Sequence, residues 1–433
     1  MTDLPAIARP IRANAAVRGP RRAGLRTGCA VLALWGGLAL AADPAAARTL
    51  AVTRSADSGQ GTLRAAIQAA NRDADVDRIQ VRAGVRLIAL ERSVTYRGAQ
   101  ALTLDGGDAT ITESGAGDLF VATGGGDLVF QDVRFANARR SGIVVNVPGG
   151  GDVSWQTVTL RGVHLDRNGH YGLHIDDQAG GDGAGADSPS SLQVTVIDSV
   201  VSGNNNPDID RQAADKDGIR VDEGGPGHVA VTILNSTLDR NAAEGIEIDE
   251  TGPGDVVVNA TASSFSNNGD QPQAPDDLED GLDIDESGPG DIRLSLIDSA
   301  INANQDEGLD IDGAGAGDIV VTAVKLDAAG NRDDNVKLTL LHNGSTQAGA
   351  VRASFTGSSA AASATGDGIR VEVFANAEDE AAAGAAIVRL VDTRAVDNDS
   401  DDLQVDAAAG SLTIRGGEVG KTDLSDGIAR TGE

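Results

Sequence analysis

Carboxylates recur in this chain at fixed places in a repeated phrase. Glu247, Asp249 and Asp255 are followed by Asp283, Asp285 and Asp291, and then by Asp310, Asp312 and Asp318. In Asp283-Ile-Asp285-Glu-Ser287-Gly288-Pro-Gly-Asp291 they take the first, third and ninth places of a D-x-D-x-[DNS]-G calcium loop, with Ser287 and Gly288 at the fifth and sixth. Leu294 replaces the bidentate glutamate of the twelfth place, and no helical pattern flanks the loop, so this is not an EF-hand. Hard oxygens beside a glycine turn suit Ca²⁺, and these nine residues are the candidate metal ligands. The plainer reading is a solvated acidic stripe that keeps the chain soluble. A second constellation mixes residue types. His170, Tyr171 and His174 lie one repeat before Arg220, beside Asp176 and Asp222. His174, Arg220, Asp176 and Asp222 are the candidate catalytic residues: a base, a cation and two carboxylates. Paired acids suit glycoside hydrolysis, and a cation with a basic group suits β-elimination from a uronate. The plainer reading here is that the histidines decorate a turn.

The elements that must position these residues follow from the repeat. Asp217-Gly-Ile-Arg-Val-Asp-Glu-Gly-Gly-Pro-Gly-His228 aligns without gaps with segments beginning at Glu244, Asp280 and Glu307. Ile219 to Ile246, Leu282 to Leu309 and Leu309 to Val336 each span 27 residues, whereas Ile246 to Leu282 spans 36 because of an insertion around residues 270–275. A fixed period with its surplus confined to one place is the mark of a solenoid. Each unit reads as a short alternating strand, a Gly-Pro-Gly turn, a second strand such as residues 255–259, and a third short segment. Three short strands per 27 residues is the coil of a parallel β-helix. Alternation places Ile219 and Val221 inside and Arg220 and Asp222 outside. Two outward columns follow: His174, Arg220, Glu247, Asp283, Asp310, Lys337, Arg370, and Asp176, Asp222, Asp249, Asp285, Asp312, Thr339, Glu372. Asn241, Asn267, Asn304 and Asn331 fall near one corner and are expected to stack. The clearest repeats span residues 217–336, and weaker copies extend the single domain over residues 48–433.

Composition agrees. Aromatics are only 2% of the chain, glycines number 56, and the net charge is −30. Aliphatics fill a narrow bore, and glycines serve corners. So acidic a chain is a poor partner for nucleic acid.

Residues 1–47 carry six arginines ahead of an apolar run from Cys29 to Ala42, followed by A-x-A sites at residues 39–41 and 45–47. This reads as a signal peptide directing the chain to a secreted or periplasmic location. The general secretory route is preferred to the twin-arginine route, because the segment around Arg21-Arg22 lacks the usual neighbours. Its removal takes six basic and two acidic residues, moving the charge from −30 to −34, and leaves no cysteine and no membrane span.

Residues 48–75 contain Asp57-Ser-Gly-Gln-Gly-Thr-Leu63-Arg-Ala-Ala-Ile67-Gln-Ala-Ala-Asn71. This stretch resembles the N-terminal segment of secreted bacterial right-handed parallel β-helix repeat proteins of the pectate-lyase-like solenoid superfamily. The resemblance implies a capping strand and helix over the end of the solenoid. Leu63, Ala66, Ile67 and Ala70 independently fall on one helical face able to plug the bore. The superfamily shares a shape rather than one activity. The pectate-lyase Arg-x-Pro-x-x-Arg and the alginate-epimerase Asp-Pro-His-Asp are both missing, which counts against a close relative of either enzyme.

The functional expectation is a secreted β-helix protein whose acidic, Ca²⁺-binding face binds or cleaves a polysaccharide or cell-surface glycan. If it is an enzyme, it is a polysaccharide lyase or glycoside hydrolase. The alternative is a non-catalytic extracellular adhesion or matrix protein, favoured by the uniformity of the acid stripe and the shortage of sugar-stacking aromatics. Oligomeric state is not legible.

Overall fold

The computed structural model describes residues 48–432, apart from 114, 116, 151–153, 181–183, 211–215, 271–277, 344–348 and 377–378. The signal-peptide reading, Cys29 included, and most of the insertion after Asp270 lie outside the described residues. No helix among the described residues is long and apolar enough to cross a membrane.

The described chain winds as a right-handed parallel β-helix. One coil comprises a first strand Ile219–Glu223, a second strand Val229–Leu234 and a third strand Thr237–Asp239. The next begins with Ile246–Glu250 and Val256–Thr261. First strands pair in parallel with first strands one coil away, and second strands with second strands. The 36-residue step keeps this register, since Ile246 still pairs with Leu282. The inward residues Ile219, Val221, Ile246, Ile248, Leu282 and Ile284 are all fully buried. They meet Val229, Val231, Ile233 and Leu238 across the bore, in one continuous apolar core.

Corners are built from stacked polar caps. Asn168, Asn204, Asn241, Asn268, Asn304 and Asn331 each donate from Nδ2 to the next amide oxygen up the stack, ending on Asn335. The expected ladder thus exists, with one correction: Asn268 occupies the rung assigned to Asn267. Asn267 instead takes a left-handed backbone at φ 60°. Serines 199, 236, 263 and 299 cap a second corner, each hydroxyl accepting a backbone N–H from the coil before.

The Gly-Pro-Gly turns stack so closely that a Cβ on Gly252 would lie 1.7 Å from the Gly225 carbonyl oxygen, and one on Gly254 would lie 1.6 Å from that of Gly227. Only glycine allows that approach. Beneath each turn a buried glutamate accepts two backbone N–H groups. Glu223 Oε1 takes those of Gly225 and Gly227 at 3.0 and 3.2 Å, Glu250 takes Gly252 and Gly254, and Glu286 takes Gly288 and Gly290.

At the N-terminal end, strand Arg48–Val52 pairs with Val76–Val81, and helix Leu63–Ala70 buries Leu63, Ala66, Ile67 and Ala70, the face expected from the sequence. Thr62 caps the helix by accepting the Ala65 N–H. Arg64 anchors it through Asp57 and the carbonyls of Arg92 and Ser93.

Candidate functional site

The first strands carry both expected columns in exact register. His174 pairs with Arg220, Arg220 with Glu247, Glu247 with Asp283, Asp283 with Asp310, Asp310 with Lys337, and Lys337 with Arg370. Asp176, Asp222, Asp249, Asp285 and Asp312 form the second column in the same pairs, continuing to Thr339 and Glu372. At a strand spacing of about 4.8 Å, neighbouring carboxylates repel by about 3 kcal/mol at an effective dielectric near 20.

Burial sharpens that repulsion. Glu247 and Asp310 are each only 8% exposed, while Asp283 is half-buried and Asp285 stays open to water. Burial, then the Asp217 charge, pushes the Glu247 carboxyl well above the usual range. Burial and Asp312 do the same to Asp310, and burial and Asp285 to Asp283. Asp249 and Asp285 are pushed up to about 6, desolvation by the crowded side chains leading in both even though Asp285 keeps an edge in water, with Arg220 opposing.

Two cations bracket the acid run of the first column. Arg220 donates from Nε to Asp222 at 2.7 Å, pairs with Glu247 and Asp249, and lies 3.6 Å from Asp217. Lys337 Nζ lies 2.6 Å from Asp310 and 3.1 Å from Glu307. Burial works against both charges, and the surrounding carboxylates overcome it, so both side chains stay cationic.

The four candidate catalytic residues do come together. His174 Nε2 lies 2.7 Å from Asp222 Oδ2, and Asp222 Oδ1 accepts from Arg220. His174, Asp176 and Asp222 present ligand atoms within 4.8 Å of one another. Asp176 is fully buried and already engaged, accepting the N–H groups of Gln178 and Gly185. Arg220 is spread over four carboxylates, the arrangement of a clamp rather than of a free base.

Beside this group the face changes character. Val121 and Val144 precede His174 in the same outward column. With Asp118, Arg140, Asn146, His170, Tyr171 and Lys216 they line a hollow of about 470 Å³. The Tyr171 and His174 rings stand 4.5 Å apart, and Lys216 Nζ lies 5.4 Å from the Tyr171 ring centre. His170 Nε2 is 3.4 Å from Asp210. Burial and the neighbouring Arg140 hold the His170 pKa below the ordinary histidine value, against the pull of Asp210.

The nine candidate metal ligands separate into groups. Asp249, Asp285 and Asp312, with Thr251 and Ser287, line a smaller hollow of about 260 Å³. Glu247 gathers with Asp217 and Glu244, and Asp310 with Asp280 and Glu307, each set having ligand atoms within 4.8 Å. Asp283 lies between these sets. Asp255, Asp291 and Asp318 stand ahead of the second strands. There Oδ1 of Asp255 accepts the N–H of Asp291, Asp291 that of Asp318, and Asp318 that of Ala350. They cap the next coil rather than join the acid face.

Sequence reasoning missed the column just before each repeat's glycine: Asp217, Glu244, Asp280 and Glu307, none more than 8% exposed. The signal was present, since these residues open the aligned repeats. Alternation places them inside, and the corner at the following glycine turns them onto the acid face. The inward glutamates 223, 250 and 286 were legible too, as charges at positions that alternation marks as interior.

No family model matches this sequence, and no curated protein matches it. Solved structures resemble it in shape. The Dettilon tailspike protein superposes with a TM-score of 0.52 at 10% identity, over 88% of this chain and 67% of that one. Pectate lyase Pel9A gives 0.48 at 15% identity, over 77% and 82%. The A-module of the Azotobacter vinelandii mannuronan C-5 epimerase AlgE6 gives 0.44 at 13%, over 87% and 97%. At such identities the likeness is one of fold alone. With its in-register parallel first strands and its coil-by-coil stacking, this chain is a right-handed parallel β-helix repeat protein with no close match to a single enzyme.

Proposed function

We propose that this protein is exported and contacts polysaccharide along the outward face of its first strands, with Ca²⁺ balancing the acid columns. One observation carries the reading. Within a few coils the outward column passes from Val121 and Val144, through His174 and Arg220, to Glu247 and Asp283, and a hollow opens where it changes. A sugar ring has an apolar face and a polar rim. Val121 and Val144 suit the first; Asn146, His170 and Asp118 suit the second. Arg140 and Lys216 favour a sugar bearing a carboxylate, since they are cations on an otherwise acidic face. The basic, apolar-cored composition of residues 1–47 supports export.

Binding is the primary activity in this reading. Cleavage at His174 and Asp222 is its extension, with Asp176 and Arg220 as positioning groups. The alternative, a non-catalytic adhesion or matrix protein, is favoured by the saturation of Arg220 with carboxylates, which keep it protonated and unable to act as a base. The test uses the mature chain against uronate-rich and neutral polysaccharides, with Ca²⁺ and with chelator, following binding, new reducing ends and unsaturated products. Calcium-dependent binding of a uronate polymer, reduced about tenfold or more by Arg140→Ala, is expected. Equal retention of neutral and acidic polymers, unchanged by Arg140→Ala, would remove the hollow as the contact. Product formation abolished by Asp222→Asn would establish an enzyme, and binding without products would establish the adhesion role.

A further inference from the structure

We propose that Asp217, Glu244 and Glu247 form a buried divalent-cation site between two adjacent coils, suited to Ca²⁺. This deepens the reading above by placing the cation, and rests on its claim that cations balance the acid face, not on the glycan.

The three side chains offer oxygens within 4.8 Å of one another, and the residues are 0%, 4% and 8% exposed. Their hydrogen bonding is incomplete. Glu244 Oε2 and both carboxylate oxygens of Asp217 are buried and, among the described residues, accept no hydrogen bond. Buried polar oxygens are ordinarily satisfied, so oxygens pointing at one another without a donor mark a place for a positive charge. Arg220 fills that need only in part. It pairs with Glu247 and lies 3.6 Å from Asp217, while among the described residues no arginine, lysine or histidine stands within ion-pair distance of Glu244.

The molecule contains its own comparison. Asp280, Glu307 and Asp310 occupy the same three coil positions further along the solenoid. There the next coil supplies Lys337, whose ammonium sits 3.1 Å from Glu307 and 2.6 Å from Asp310. The residue in the equivalent place beyond Glu247 is Asp283. The second copy therefore receives an ammonium that reaches Glu307, whereas in the first copy the cation is Arg220, at the place where the second has Asp283, and it pairs with Glu247 rather than Glu244. The three carboxylates present only hard oxygens, with no nitrogen or sulfur donor in the set. That composition selects Ca²⁺ over zinc or copper.

The experiment is calorimetric titration of CaCl₂ into the chain after chelator treatment and desalting, at neutral pH, with circular dichroism to verify the fold of each variant. Saturable Ca²⁺ uptake is expected. Glu244→Gln should weaken it about 100-fold or more, as loss of a ligand does. Glu307→Gln, in the copy that carries Lys337, should leave this affinity within about twofold. If Glu244→Gln does not fold, Asp217→Asn is measured in its place and should lose affinity comparably. No Ca²⁺ uptake by the unaltered chain, or uptake indifferent to these ligand substitutions, overturns the site. Because the readout contains no sugar, Ca²⁺ binding at Glu244 without glycan binding would refute the glycan reading and leave this one standing.

Discussion

His174 and Asp222 stand in adjacent coils and in adjacent columns, and they meet through Nε2 and Oδ2 at 2.7 Å with side chains only 3% and 4% exposed. Neither residue is near the other in sequence. The stack brings Arg220 between them in register, so Asp222 also accepts from its Nε.

That arrangement sets the first prediction. Burial works to raise the Asp222 carboxyl, and the hydrogen bond from His174 and the charge of Arg220 overcome it, holding the group below its ordinary value. A depressed carboxyl stabilises the fold above its unfolded pKa of about 3.9, and the contribution is lost as pH falls through the folded value. Asp222→Asn should therefore cost about 3 kcal/mol at pH 7, in the manner of a broken buried pair. The cost should shrink toward pH 3. Urea unfolding at the two pH values measures both, and a cost that is the same at pH 3 and pH 7 would contradict it.

The inward glutamates predict the opposite slope. Burial, then the neighbouring Glu250, pushes Glu223 up to about 9, and burial pushes Glu250 and Glu286 up to about 7, against the glycine N–H groups that favour the charged form. A raised carboxyl contributes its stability fully below the unfolded pKa, about 4.3, and loses it as pH rises through the folded value. In chelator, Tm should fall between pH 5 and pH 9.5. Glu250→Gln keeps an oxygen for Gly252 and Gly254 but cannot ionise. It should raise Tm at pH 9 by roughly 2 °C or more. Calorimetry showing Tm climbing with pH would rule out a protonated ladder.

Close stacking of the turns predicts intolerance at one glycine and indifference at another. A Cβ on Gly254 would fall 1.6 Å from the Gly227 carbonyl oxygen, whereas one on Gly84 would meet nothing within 4 Å. Gly254→Ala should cost about 3 kcal/mol, at the upper end of overpacking, and Gly84→Ala should stay within about 0.5 kcal/mol. Denaturant midpoints for the two variants compare them directly.

The asparagine corner gives a paired test. Asn268 is fully buried, donates to Leu238 and Asn304, and accepts the Asn241 N–H at 3.0 Å. Asn268→Ala should cost about 2 kcal/mol or more, because it strands buried partners. Asn267, exposed and at φ 60°, should accept glycine without loss. Equal effects of Asn268→Ala and Asn267→Gly on thermal stability would put the ladder rung elsewhere.

The outward columns were legible in the chain itself. A period of 27, an alternation of two and parallel in-register pairing together turn sequence offset into spatial adjacency, so Arg220 over Glu247 and Asp222 over Asp249 follow without coordinates. The capping helix was legible for the same reason, through the spacing of Leu63, Ile67 and Ala70. Corners were not, because alternation stops where the backbone turns. One residue of uncertainty there exchanged Asn268 for Asn267. The match to a calcium loop made Asp255, Asp291 and Asp318 candidate ligands, but the glycine-rich turn carries them past the acid face to cap the next coil. Burial, too, was decided in three dimensions. A carboxylate on an exposed strand face is ordinary; Glu247 is unusual because Glu244, Asp217 and Arg220 fold against it from the corner and the coil below. The sequence by itself determined which residues stack. Only the tertiary structure decided which of them lose water, because that depends on how long side chains from neighbouring coils close over one another.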